Sequence, residues 1–130
     1  MAQSALGATL QFLREQRGLS LRELARIADI DHAYIYRLES GDKESPSEEA
    51  LSKLGRGLKM EKREADILKF VAEHARTDAG FVLHVLKHPD VTYDVFASAA
   101  GAVYRGEARP DYETVIARVR KILAAEKDDG

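Results

Sequence analysis

Apolar side chains recur along the chain at intervals of three and four residues, the spacing that places them on one face of an α-helix. The first such segment contains Leu6, Leu10 and Leu13, and Gly18 follows it as a natural helix end. Runs rich in valine, isoleucine and threonine with a period of two, which would predict β-strands, are missing. The pattern therefore predicts an all-α fold.

Residues that favour helix starts divide the chain into about eight helices. The side-chain oxygens of Ser20, Asp31 and Ser47 are placed to accept hydrogen bonds from first-turn backbone N–H groups. Glu23 follows Ser20 at the capping-box spacing, and Asp78 starts a later helix in the same way. The predicted helices cover about 6–17, 21–28, 32–40, 48–58, 61–71, 79–86, 92–105 and 111–127.

Composition narrows the classes of protein that fit. At 130 residues the chain has the length of one ordinary domain or of two small ones, and a division near Met60 separates residues 1–60 from residues 61–130. The absence of cysteine excludes disulfides, thiol catalysis and cysteine-ligated metal centres. No apolar run approaches the roughly 20 residues of a membrane span, so we expect a cytoplasmic protein without membrane contact.

The predicted helices 21–28 and 32–40 are joined by a turn of about three residues, which is the spacing of a helix-turn-helix. In that motif the second helix lies in the major groove of DNA. Ile35 and Leu38 are expected to face inward, against the preceding helix. This arrangement exposes four residues that reach base edges: His32, Ala33, Tyr36 and Arg37.

The chemistry of these side chains suits base recognition. Arg37 can donate two hydrogen bonds to guanine O6 and N7, a contact worth roughly 1–3 kcal/mol of discrimination. His32 can donate or accept, Tyr36 can hydrogen-bond or pack on a thymine methyl, and Ala33 offers an apolar contact. The alternative for Arg37 is a solvated helix charge. Because 20 basic residues stand against 22 acidic ones, for a net charge of −2, any such contact must be local.

Four ordered motifs carry a family resemblance. L-R-x-x-R-G-L-S lies at 13–20, E-L-A at 23–25, Y-I-x-x-L-E-x-G at 34–41 and P-S-x-x-x-L at 46–51. In these motifs the segment 6–60 resembles the lambda-repressor/Cro-like helix-turn-helix proteins, often called the XRE family. The resemblance implies a five-helix DNA-binding domain in residues 1–60, followed by a small helical region for dimerisation or regulation in residues 61–130.

The resemblance also implies roles for individual residues. Arg14 would pair with Glu39 and tie the first helix to the third. Phosphate contacts are implied for Ser20, Arg22, Tyr34 and Lys43. Tyr34 has a second interpretation, as a ring packed against the fourth helix. The chain departs from the family in three places. Asp29 stands where the turn usually has glycine, so aspartate would have to adopt the left-handed conformation of that turn. Gly55 replaces a usual alanine, and Asp42 and Glu44 replace basic residues in the loop after the recognition helix.

The C-terminal half carries a fainter resemblance. The segment VYRGEARP, residues 103–110, precedes a final amphipathic helix, and it resembles the dimerisation region of repressors that a partner metallopeptidase cleaves during stress. That resemblance implies a cut between Tyr104 and Arg105. The apolar stripe of the final helix has two interpretations, a homodimer interface or part of the chain's own core. The stripe consists of Val115, Ile116, Val119, Ile122 and Leu123.

No constellation of residues predicts catalysis or a cofactor. His84 and His88 are four residues apart and could share a helix face as metal ligands, but no third ligand is evident, so we interpret them as surface histidines without a metal. A nucleophile with a matching base is also missing. An enzyme is therefore not expected.

The sequence favours a transcriptional regulator, a repressor that binds an inverted-repeat operator in double-stranded DNA as a homodimer. Two alternatives stay open. One is the antitoxin of a toxin–antitoxin pair, in which the C-terminal half covers the toxin. The other is a protein-interaction module that has lost DNA binding, which the near-neutral charge and the acidic loop would suit.

Overall fold

The computed structural model describes residues 3–41, 45–101 and 111–129, and these residues form eight α-helices and no strand. The all-α prediction is thereby confirmed. The helices are α1 (Ala5–Gln16), α2 (Leu21–Ala28), α3 (His32–Ser40), α4 (Glu48–Gly57), α5 (Lys62–Glu73), α6 (Ala79–Leu86), α7 (Tyr93–Ala100) and α8 (Tyr112–Asp129). None of the helices described is both long and apolar enough to cross a membrane.

Most helices begin where the capping residues predict. The hydroxyls of Ser20 and Ser47 and the carboxylate of Asp78 each accept a hydrogen bond from a first-turn backbone N–H group. Asp31 is an exception, because it occupies the N-cap position of α3 without a side-chain capping bond. Its carboxylate lies instead 3.8 Å from Nδ1 of His32. The prediction that Asp31 caps α3 through its side chain is therefore wrong.

The seventh helix ends at Ala100, with Gly101 as its C-cap, rather than at Arg105. Residues 102–110 lie outside the described residues, and so do the predicted cleavage residues Tyr104 and Arg105. Asp42, Lys43 and Glu44 of the loop after α3 also lie outside the described residues.

A single hydrophobic core runs through the chain, with α1 at its centre. Leu10 and Leu13 of α1 are completely buried, and α1 packs against α3, α5 and α6. Arg17, at the end of α1, donates to the carbonyl of Leu58 at 2.7 Å and to the carboxylate of Glu64 at 2.8 Å. The core therefore continues across position 60, and the division into residues 1–60 and 61–130 stays a prediction.

The last helix contributes to the chain's own core. Val115, Ile116 and Val119 are buried, and α8 packs mainly against α7. Leu123 is half-buried at the edge of the core, whereas Ile122 is 57% exposed. Most of the predicted apolar stripe thus closes the monomer, and only its C-terminal part is free for another partner.

Two glycines allow helices to approach closely. A Cβ atom on Gly7 of α1 would lie 2.4 Å from the backbone oxygen of Glu39 in α3. A Cβ atom on Gly57 of α4 would lie 2.9 Å from Cβ of Ala28 in α2. Both contacts are with atoms that the backbone holds in place, so a larger residue would push the paired helices apart.

Replacing Gly7 by alanine should therefore destabilise the protein by about 1–3 kcal/mol, the usual cost of overpacking. Denaturant unfolding followed by circular dichroism measures this free energy. Gly55→Ala is the matched control, because its Cβ would meet only the flexible end of Met60 at 3.3 Å. Alanine there should be neutral or stabilising by up to about 1 kcal/mol. Equal stability of the Gly7→Ala protein and the wild type would contradict the close-approach argument.

Candidate nucleic-acid interface

The turn between α2 and α3 depends on a left-handed residue. Asp29 has φ 57° and ψ 51°, and its backbone N–H donates to the carbonyl of Ala25. The N–H of Ile30 donates to the same carbonyl at 3.0 Å. Aspartate accepts this conformation more readily than most residues with a Cβ atom. The expectation that Asp29 replaces glycine in a left-handed turn is confirmed.

Buried side chains fix α3 against the rest of the domain. Ile35 and Leu38 are completely buried, as predicted, and α3 packs against both α1 and α2. Leu24 and Ala28 of α2 are buried as well. The inner face of α3 therefore determines which of its residues point outward.

Glu39 is the point at which α3 is attached to α1. Its carboxylate receives two hydrogen bonds from Arg14, from Nε at 2.7 Å and from a terminal nitrogen at 2.9 Å. Arg14 also donates to the carbonyl of Leu19 at 2.9 Å, and Gln3 donates to the backbone oxygen of Glu39 at 3.0 Å. The Arg14 and Glu39 side chains are only 13% and 9% exposed. The sequence did not indicate the contributions of Gln3 and Leu19.

The hydrogen bonds with Glu39 raise the pKa of the Arg14 guanidinium above its ordinary value. A cation with a raised pKa stabilises the folded state at every pH below its unfolded pKa. Because an arginine pKa lies far above neutrality, this contribution stays constant throughout the physiological range.

The outer face of α3 carries the predicted base-reading residues. His32, Tyr36 and Arg37 are exposed, and the Tyr36 side chain is one of the most exposed large apolar groups described, at 51%. Ala33 is half-buried and therefore offers less surface than predicted. His32 with Tyr36, and Ala33 with Arg37, are four residues apart, so the four residues share one side of the helix.

The predicted phosphate-contacting residues differ in their surroundings. Arg22 is exposed on α2, whereas Tyr34 is half-buried and packs against the core. Tyr34 also lines a cleft of about 310 Å³ between the turn, α3 and the start of α4. Lys43 is outside the described residues.

Ser20 is already engaged in a capping box. Its hydroxyl accepts from the N–H of Glu23 at 3.0 Å, and its own N–H donates to the Glu23 carboxylate at 3.0 Å. These bonds hold the pKa of the Glu23 carboxyl below its ordinary value. The start of α2 thus carries a fixed negative charge. Of its first-turn backbone donors, the N–H groups of Leu21 and Arg22 are the two that the capping box does not use.

Two short helices, a three-residue turn and an exposed second helix together make up a helix-turn-helix. Residues 5–68 match the family described as "Helix-turn-helix domain". Residues 5–68 are a helix-turn-helix domain. No curated protein matches the chain significantly.

The family match ends within α5, at residue 68. Ile67 and Leu68 of α5 are buried in the same core as Leu10 and Leu13 of α1. The first part of α5 therefore supplies packing for the domain, while α2 and α3 supply the surface that faces DNA in such motifs.

Removing the Glu39 carboxylate should leave the Arg14 guanidinium buried without its partner. Glu39→Ala is expected to destabilise the helix-turn-helix domain by about 3 kcal/mol in denaturant unfolding. The double variant Arg14→Met/Glu39→Leu should recover most of that loss, since an apolar pair needs no counter-charge.

The exposed pair of Lys62 and Asp66 provides the comparison, with side chains 88% and 35% exposed. Asp66→Ala should change stability much less, because water solvates an exposed pair well. If Glu39→Ala and Asp66→Ala were equally mild, the Arg14 pair would not be an anchor of α3.

Proposed function

We propose that the protein is a sequence-specific transcriptional regulator, a repressor of the XRE type that binds an inverted-repeat operator as a homodimer. The observation that carries the proposal is the exposed face of α3, with His32, Tyr36 and Arg37 on a helix whose other side is completely buried. In a helix-turn-helix this second helix enters the major groove.

Preorganisation of α3 supports sequence reading. Base discrimination requires hydrogen-bonding groups at fixed positions, because a misplaced donor gains little from the correct base. The buried Ile35 and Leu38 and the bond network around Glu39 hold α3 before DNA arrives. Arg37 is then the side chain best suited to read guanine, through O6 and N7.

A homodimer would cover the exposed apolar part of α8. Helix-turn-helix proteins commonly bind two half-sites about 34 Å apart as two-fold dimers. Ile122 is exposed on α8, and a groove of about 690 Å³ between α7 and α8 has Val95 and Leu123 in its lining. This C-terminal surface is the part of α8 that the monomer core leaves uncovered, and it suits contact with a second copy. Cleavage between Tyr104 and Arg105 by a metallopeptidase, and binding of a toxin to the C-terminal half, remain further predictions.

Selection of bound fragments from a random DNA pool tests the proposal, with wild type, Arg37→Ala and Arg76→Ala in parallel. Wild type should enrich an inverted repeat, and Arg37→Ala should lose about 5- to 150-fold of its guanine preference, which corresponds to about 1–3 kcal/mol. Arg76 is an exposed arginine between α5 and α6, outside both α3 and the C-terminal surface of α8, so its variant should select the same repeat as wild type.

A single half-site instead of a repeat would contradict the homodimer while keeping the DNA reader. Absence of any enriched sequence, from protein that circular dichroism shows to be folded, would favour the interaction module.

The salt dependence of binding provides a separate test, because each phosphate contact releases counterions. We expect a shallow dependence for a chain with a net charge of −2. Arg22→Ala should reduce the slope of log K against log salt by about 0.9 for each bound protomer, without changing sequence preference. Fluorescence anisotropy with labelled operator at several salt concentrations measures the slope. A slope that Arg22→Ala leaves unchanged would remove Arg22 from the phosphate contacts.

A further inference from the structure

The end of α6 and the start of α8 bring two histidines and a glutamate together. His84, His88 and Glu113 each offer one metal-binding atom, and these three atoms all lie within 4.8 Å of one another. The rings of His84 and His88 are stacked, with centroids 4.2 Å apart. The sequence indicated that the two histidines could share one helix face but gave no sign of Glu113, which lies 25 positions after His88.

The hydrogen bond of His88 determines which of its nitrogens can bind a ligand. Nδ1 of His88 lies 2.6 Å from the backbone oxygen of His84. A carbonyl oxygen can only accept, so Nδ1 carries a hydrogen, and in the neutral ring Nε2 then carries the lone pair. Metal-binding histidines are commonly oriented by such a bond from the other ring nitrogen. His88 is thus already in the tautomer that a metal requires.

The third ligand is positioned by a hydrogen bond between the start of α8 and the N-cap of α6. The hydroxyl of Tyr112 donates to the Asp78 carboxylate at 2.5 Å, and the same carboxylate caps α6 through the N–H of Phe81. The Tyr112 ring lies 5.4 Å from the His84 ring. Glu113 directly follows Tyr112, so its backbone is held beside the histidines while its side chain remains exposed.

We propose that His84, His88 and Glu113 bind one divalent transition-metal ion that links α6 to α8. Two imidazoles and one carboxylate are a ligand set that zinc accepts, with the fourth position open to water. Imidazole nitrogen favours zinc, nickel or copper, whereas calcium and magnesium prefer oxygen ligands alone. The proposed ion is therefore zinc, nickel or copper rather than calcium or magnesium.

The spacing of the three ligand atoms permits such a site after a small closure. Metal–ligand bonds of about 2.1 Å in a tetrahedron place the ligand atoms about 3.4 Å apart. The ligand atoms would have to close from at most 4.8 Å to about 3.4 Å, which needs small side-chain rotations, chiefly of the exposed Glu113. Binding would cross-link α6 to α8 and would stabilise the folded chain by mass action.

Calorimetric titration of zinc chloride into tag-free, chelator-treated full-length protein tests the site. One ion per chain should bind, and each of His84→Ala, His88→Ala and Glu113→Gln should weaken binding at least tenfold. His74→Ala is the matched control, because Nδ1 of His74 lies 2.8 Å from the carbonyl of Phe70 in the same i, i+4 arrangement but outside the cluster. Its affinity should equal that of wild type.

Thermal unfolding supplies a second readout. Zinc should raise the unfolding midpoint of wild type and of His74→Ala, whereas magnesium should not. The metal-free midpoints of the variants show whether each chain is folded before titration. Wild-type affinity in Glu113→Gln would overturn the link between α6 and α8, because only a pair of surface histidines would remain. Undiminished binding by the double variant His84→Ala/His88→Ala would overturn the site itself. Neither measurement involves DNA, so its outcome is independent of the proposed function.

Discussion

The attachment of α3 to α1 at Glu39 determines the geometry of the candidate interface. The backbone oxygen of Glu39 lies against Gly7, where a side chain would not fit, and its carboxylate is held by Arg14. A side-chain anchor and a backbone contact on one residue fix both the distance between the two helices and their rotation. Together with the buried Ile35 and Leu38, this attachment prevents α3 from turning about its own axis and gives its exposed residues a defined direction.

The Glu23 carboxylate limits how strongly the start of α2 can attract phosphate. The capping box keeps the Glu23 carboxylate at the start of α2, with a lowered pKa, so its stabilising contribution is present at neutral pH and is lost as pH falls through that pKa. A carboxylate at this helix terminus offsets part of the attraction that the terminus has for phosphate. Under the proposed function, affinity comes from a small number of cations such as Arg22, and selectivity comes from contacts with bases.

Sequence periodicity and capping residues were sufficient for the helices, because both are local properties. They predicted the inward direction of Ile35 and Leu38, and the family resemblance predicted the left-handed turn at Asp29. Local rules did not predict that the Asp31 carboxylate lies toward His32, since that choice depends on a competing neighbour. These rules also did not predict that Glu113 lies close to His84. That distance depends on where the start of α8 lies relative to α6, which is a tertiary property that residue spacing does not reveal.

The position of α1 has a consequence for the modularity of the chain. Helix α1 packs against α3 and also against α5 and α6. The same helix therefore supports both the helix-turn-helix and the C-terminal half. A segment cut at residue 60 would lose the cover that α5 and α6 give to α1. Recombination with a foreign C-terminal half would therefore have to preserve the partners of α1, and the two halves are expected to evolve as one unit rather than as exchangeable parts.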